Sequence, residues 1–294
     1  MKRFIRCKNE DGLEVLFNGT FSPFLLEDCD GIYSVQNTVS ISENTMTDGG
    51  TYQGSVTKMR NIVLTLRDNV NSDHDANRTL LYRLFKPKSK GTFIYQENKG
   101  AESRSIDYYV ESIESDAVSR ARRYTISLVC PNPFFTAPSD LVVVLSGWNS
   151  LFKFPLEIPA DGLEFGTRVD ERLKTIDNAS AADNIGLTIT IKANGAITNP
   201  TIYHVEKGEK VEVGTTDNPL SLINGDEVII TTGTNNKHVY LVHEGEKTEI
   251  NHYLSEESDF IQLQSGPNTV GYSAESGESY MAVEVAYRYR YLGA

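Results

Sequence analysis

Short alternating runs of apolar and polar residues dominate the chain, and turn residues separate them at close intervals. Phe4–Cys7 and Glu14–Phe17 flank Asp11-Gly12, a spacing that predicts a β-hairpin. Val35–Ile41, the strongly apolar Asn61–Leu66, Thr92–Tyr95, Ser105–Val110 and Tyr124–Val129 also read as strands, whereas Thr47–Thr51 reads as a mobile loop. One segment has helical period. Ala76, Leu80, Leu81, Leu84 and Phe85 fall on one face, Ser72 is placed as N-cap, Asp73 and Asp75 suit the positive helix start, and Pro87 stops the helix.

Cys130-Pro-Asn-Pro-Phe-Phe-Thr-Ala-Pro138 interrupts this pattern, since three prolines oppose both helix and strand. A domain boundary is therefore expected near residue 140, giving 1–140 and 141–294 as the two domains. Beyond it, Phe152–Pro155 and 162–183 are less regular, with a polar loop expected over Asp177–Asp183. From Ile185 regularity returns. Leu187–Ile191, Thr201–Val205, Ser221–Ile223, Glu227–Thr232, Val239–Val242, Asn268–Tyr272 and Met281–Tyr287 are strand candidates, with Asn194-Gly195 and Asn224-Gly225 as turns. The expected fold class is mainly β: a split barrel or sheet with one helix, then a β-sandwich.

At 294 residues the chain can bury two cores, and its apolar runs are too short to span a membrane. The start, MKRFIRCKNEDG, has basic residues without an apolar stretch behind them, so no signal peptide is expected. Residues 1–140 carry 17 Lys+Arg against 18 Asp+Glu, and 141–294 carry 11 against 22. This acidity argues against a nucleic-acid partner, and the asymmetry suggests different surroundings for the two halves. Cys7, Cys29 and Cys130 lack metal-ligand spacing and read as small buried thiols.

A search for reactive chemistry finds no GxSxG, P-loop or HExxH pattern, and no catalytic, cofactor-binding or metal-binding residues are assigned. His238 and His243, five apart, would face opposite sides of one strand, and His74 at the helix start reads as exposed or capping. Glu206, Glu209 and Glu212, like Glu244, Glu246 and Glu249, read as solvated hairpin rims. Arg120, Arg122 and Arg123 form a basic turn before the Tyr124 strand, and Trp148 is read as packing. Tyr287, Tyr289 and Tyr291 would line one face of a final strand, covering the core or a subunit interface.

Several of these patterns recur in a recognisable order. Arg60-Asn-Ile-Val-Leu-Thr-Leu precedes the stretch RTLLYRLFKPKSKGTFIY from Arg78 to Tyr95, and Pro131-Asn-Pro-Phe-Phe135 closes the first half. Asn194-Gly195, Asn199-Pro200-x-Ile202, Asn224-Gly225-Asp226 with Ile229-Ile-Thr-Thr232, and Gly266-x-Asn268-x-Val270-x-Tyr272-x-Ala274 follow, ending in Val283-x-Val285-x-Tyr287. In this order the chain resembles the distal tail protein family of long-tailed bacteriophages (siphophages). It departs at Phe260, where relatives often show Trp, an aromatic exchange expected to keep the packing.

The resemblance implies a non-enzymatic hub at the virion tail tip, made in the bacterial host cytoplasm. Its N-terminal domain would form a homo-hexameric ring and its C-terminal domain would be a galectin-like sandwich. The implied partners are the tail tube protein, a tail-associated lysin or tail fibre protein, and a receptor-binding protein, with no cofactor, nucleic acid or membrane. Two other readings stay open: a carbohydrate-binding host-attachment module, and a cell-wall hydrolase using a carboxylate pair.

Overall fold

The computed structural model describes residues 3–18, 22–43, 46, 48–69, 73–116, 122–150, 166–180 and 184–294, and over 147–150 and 166–170 it describes the backbone path alone. The chain is mainly β, with one α-helix among the described residues. It divides into two compact units, Met1–Pro138 together with Arg290–Ala294, and Ser139–Tyr289.

In the first unit, seven strands pair antiparallel in the order Glu14–Phe17, Phe4–Asn9, Lys90–Gln96, Arg104–Ser115, Arg123–Cys130, Arg60–Asp68, Phe24–Asp30. Period-two alternation puts one face of each central strand inside: Ile62, Leu64 and Leu66 from one, Ile126 and Leu128 from the next. The predicted hairpin is present, with Ile5 opposite Phe17 and Lys8 opposite Glu14. Phe24–Asp30 was not anticipated from the sequence.

The helix His74–Leu84 closes this core with Leu81, Leu84 and the following Phe85 fully buried; Ala76 is exposed and Leu80 half-buried. Phe85 lies between Phe17 and Tyr108, at ring separations of 6.3 and 6.0 Å. Asp73 is the N-cap, its carboxylate accepting from the amides of Asp75 (3.0 Å) and Ala76 (3.2 Å); Ser72 lies outside the described residues.

His74 corrects its reading. Its Nδ1 donates to the buried Asp68 carboxylate (2.8 Å), which also accepts from Asn77 Nδ2 (3.1 Å) and Tyr124 OH (3.3 Å). Three donors thus satisfy a charge fully removed from water and tie the helix start to two strands.

The proline-rich segment also corrects its reading. Phe135–Thr136 forms a short strand that pairs with Arg290–Tyr291 and touches Ser105, and Phe135 is buried.

The second unit is a β-sandwich. One sheet runs Gly166–Asp170, Leu141–Ser150, Met281–Tyr287, Ile185–Ala193, Glu227–Gly233, Asn236–His243, Glu246–Glu249, with Gln262–Leu263 added on Ile185–Ala193. The other runs Leu173–Asn178, Gly266–Ser276, Ile197–His204, Glu209–Glu212, with Ser221–Leu222 beside Ile197–His204. Ile189, Val228, Ile230 and Val285 from the first sheet and Ile176, Ile202, Val211 and Tyr272 from the second share one continuous core. Phe260 packs against that core. The loop expected over Asp177–Asp183 is corrected in part, since Asp177 and Asn178 end a strand; residues 181–183 and the segment Phe152–Pro155 lie outside the described residues.

Candidate functional site

Asn37–Glu43 and Gly50–Thr57 form an antiparallel hairpin whose strands pair with each other and with no other described strand. The residue pattern predicts most of the first strand and a loop over Thr47–Thr51, whereas Gly50 and Thr51 already belong to the second strand. Cross-strand partners share a face. Val39 opposite Ser55 and Ile41 opposite Tyr52 therefore lie on one side, with Thr38 opposite Val56 and Ser40 opposite Gly54 on the other. The register shifts at Ser40/Ile41, where Gln53 is the extra residue of a bulge.

Val39, Ile41 and Tyr52 are 51%, 60% and 63% exposed, and the Tyr52 hydroxyl lies 2.9 Å from Ser55 Oγ on the same face. Glu43 is the one charged residue in either strand. Both strands present an outer row of backbone N–H and C=O groups to which no described strand pairs. A partly apolar double edge with a single charge is a template for strand addition.

Edges elsewhere in the chain are treated differently. The sandwich sheets end on Glu246-Lys-Thr-Glu249 and Glu209-Lys-Val-Glu212, where Lys210 pairs with Glu212 (3.1 Å) and Glu257 (3.1 Å). Alternating charge on an edge strand opposes pairing with a second chain. The hairpin lacks that protection.

At the hairpin's base the backbone is fixed by Lys58 N donating to Gln36 O (2.8 Å) and by the side chain of Arg60, which is 4% exposed. Arg60 Nη1 donates to the carbonyls of Gly31 (2.7 Å) and Ile32 (2.8 Å), Nε to Pro133 O (2.8 Å), and Nη2 to Leu292 O. Burial lowers its pKa from the ordinary arginine value, but the guanidinium stays charged, and carbonyl dipoles replace its hydration. Gly31 has φ +83°, and a Cβ there would collide with the Asn61 carbonyl, so glycine is required. A cleft of about 250 Å³ opens here, between Ser34–Gln36, Lys58–Met59 and Pro133.

The residues singled out for chemistry are scattered. His238 pairs with Glu249 and His243 with Asp226, each at 2.7 Å. Glu206 accepts from the Thr269 amide (2.7 Å), and Glu209 and Glu212 pair with lysines on the same hairpin rim. Glu244 and Glu246 are exposed at the turn before Glu249. Arg122 reaches Asp75 (3.4 Å) and Arg123 reaches Glu27 (2.7 Å); Arg120 lies outside the described residues, as does the side chain of Trp148.

The tyrosine stripe is corrected. Tyr287 ends its strand inside the sandwich, Tyr289 lies edge-on to it at 5.8 Å, and Tyr291 belongs to the first unit. Burial raises the thiol pKa of Cys7 and Cys29 well above the usual value and that of Cys130 to about 12, so all three are poor nucleophiles. Among the described residues no group of three His, Cys, Asp or Glu is placed to hold a metal, and no helix is long and apolar enough to cross a membrane.

Comparison with known proteins gives this geometry a setting. Residues 181–291 match the family described as "Siphovirus-type tail component, C-terminal domain". No curated protein matches the chain by sequence. Among solved structures, the Dit protein of phage SPP1, described as a paradigm of the hub adsorption apparatus in phages infecting Gram-positive bacteria, is similar at TM-score 0.67 and 12% identity, over 97% of this chain and 98% of that one. A chain of the phage P2 baseplate, in its activated conformation with calcium, is similar at TM-score 0.52 and 10% identity, over 98% of each. Residues 181–291 are thus similar to the siphovirus-type tail component C-terminal domain, and along nearly its whole length the chain shares the fold of these two solved structures.

Proposed function

We propose that the chain is a structural hub of a phage tail tip, non-enzymatic, whose first unit closes head to tail into a hexameric ring. The ring joins the tail tube protein to the tail-associated lysin or fibre protein, and receptor-binding components dock outside it. The single observation that carries this reading is the hairpin of Asn37–Glu43 and Gly50–Thr57, whose strands carry one charge, with Val39, Ile41 and Tyr52 in the open. A repeated contact around an axis needs one protruding element and one receiving surface on each copy. The occupant that fits is a second copy's first unit: residues 1–140 are almost neutral, whereas 141–294 carry twice as many acidic as basic side chains. The family match and the full-length fold likeness support the tail setting.

Mass by light scattering on the purified chain, with negative-stain images of the same fraction, tests it. Six copies of a 32.7 kDa chain give a six-fold ring of about 196 kDa. A species that stays monomeric even with tail tube protein added would refute the ring.

A further inference from the structure

We infer that the segment Arg290–Ala294 is a positioning element for the assembly hairpin, so that ring formation depends on residues far downstream of the hairpin itself. The inference rests on the ring reading above. The chain enters the hairpin through Gly31–Gln36 and leaves it through Lys58–Asn61. Arg60 binds Gly31 and Ile32 on the entering side and Leu292 from the downstream segment, so one guanidinium joins both. Ala294 N donates to Ile32 O (3.3 Å). Arg104 Nη1 donates to Gly293 O (2.8 Å), and its guanidinium lies 3.9 Å over the Tyr291 ring. Arg290–Tyr291 is itself held as a strand against Phe135–Thr136. Beside these contacts, the hydroxyls of Tyr33 and Tyr95 are 2.6 Å apart.

Geometry makes the base decisive. A hairpin joined to its sheet only through its ends acts as a lever, and eight residues at about 3.3 Å each reach about 26 Å. A rotation of about 10° at the base moves the tip by roughly 4–5 Å, close to one strand spacing. That displacement is enough to lose the register of an added strand. Ala294 resists this rotation on the entering side through Ile32, Leu292 resists it through Arg60, and the Arg104–Gly293 bond anchors the segment that carries both.

The test uses the full chain with Arg60→Lys, with Arg104→Met, and with residues 290–294 replaced by an equal length of Gly/Ser. Hydrogen exchange is read on dilute, unassembled protein, and ring yield is read by light scattering at higher concentration. Exchange at the hairpin-base amides, Lys58 above all, is expected to rise about tenfold or more, while Ile62–Leu66 stays within about twofold. Ring yield falls in the same variants. Equal loosening of Ile62–Leu66, unchanged exchange at the base, or undiminished rings on a loosened base would each overturn the inference. If Arg60→Lys does not fold, Arg104→Met decides, since it removes only the Gly293 bond and the Tyr291 ring contact. Failure of the ring reading looks different: the wild-type chain forms no ring, while the exchange comparison still reads the base.

Discussion

Replacing Ile41 with lysine separates assembly from folding. Ile41 is 60% exposed, and its cross-strand neighbour is Tyr52. Full burial of an isoleucine side chain is worth about 1.5–3 kcal/mol, so the part still open to water offers about 1–2 kcal/mol to a docking copy. The isolated chain loses only a cross-strand contact of about 0.2–1 kcal/mol, so its melting temperature should move by no more than a few degrees. Each subunit contact should weaken by about tenfold or more, because about 1.4 kcal/mol is one decade and the new ammonium must also be desolvated. The effect compounds over the identical contacts of a closed ring. A dilution series with mass-resolved light scattering measures the midpoint of assembly. Thr248→Lys on the charged edge strand Glu246–Glu249 serves as the control and should leave that midpoint unchanged. Rings from I41K at the wild-type midpoint would refute the reasoning. A melting temperature lowered by ten degrees or more would refute it differently, by placing Ile41 in a folded core.

Three further outcomes are expected. Leu84→Ala removes a fully buried helix side chain beside Phe85 and should cost about 2–5 kcal/mol, lowering the melting of the first unit in calorimetry while leaving Ser139–Tyr289 unmoved. Tyr108→Phe removes a buried hydroxyl that has no partner among the described residues; urea unfolding should show it neutral or stabilising by up to about 1 kcal/mol, and a clear loss would reveal a hidden partner. The bond to Asp226 raises the His243 pKa above its ordinary 6.5. The stability it contributes is therefore fully present below about pH 6.5 and is lost as pH rises through the raised folded value. NMR titration should show that elevation, and His243→Gln should abolish the matching difference between melts at pH 5.5 and 8.

The sandwich strands were legible because one face of each meets a core and the other meets water, as in Leu187–Ile191, so period two survives in the sequence. Phe24–Asp30 was not, because its apolar residues lead and its three acids follow, with a bulge at Glu27 shifting the register. The hairpin's second strand was hidden because Gly50 falls in the turn-like Thr47–Thr51 and Gly54 interrupts the apolar–polar alternation that follows. Helical periodicity counted apolar positions and so missed Asn77, which is buried to meet Asp68. Arg60 sat inside a quoted motif, yet its partners at Gly31, Pro133 and Leu292 are distant in sequence, and no local pattern carries that information. The Tyr287–Tyr291 alternation misled for a related reason: it continues across the point where the chain leaves one unit for the other.

The same molecule therefore follows two opposite rules for exposed strands. In the second unit, the edge strands Glu209–Glu212 and Glu246–Glu249 are short and carry closely spaced charges of both signs, and Lys210 pairs with Glu212, so a second chain would have to desolvate ions to add there. In the first unit, fifteen strand residues spanning Asn37–Glu43 and Gly50–Thr57 carry a single charge and expose three large apolar side chains on one face. Weak folding cannot explain the contrast, because the hairpin stands on a base fixed by a buried arginine and a glycine that no other residue can replace without strain. A rigid support under an unprotected edge is what a strand-addition contact requires. The support limits the ordering cost of docking, and the missing charge leaves the edge open. A local rule broken on an otherwise consistent fold is most economically read as the place where function resides.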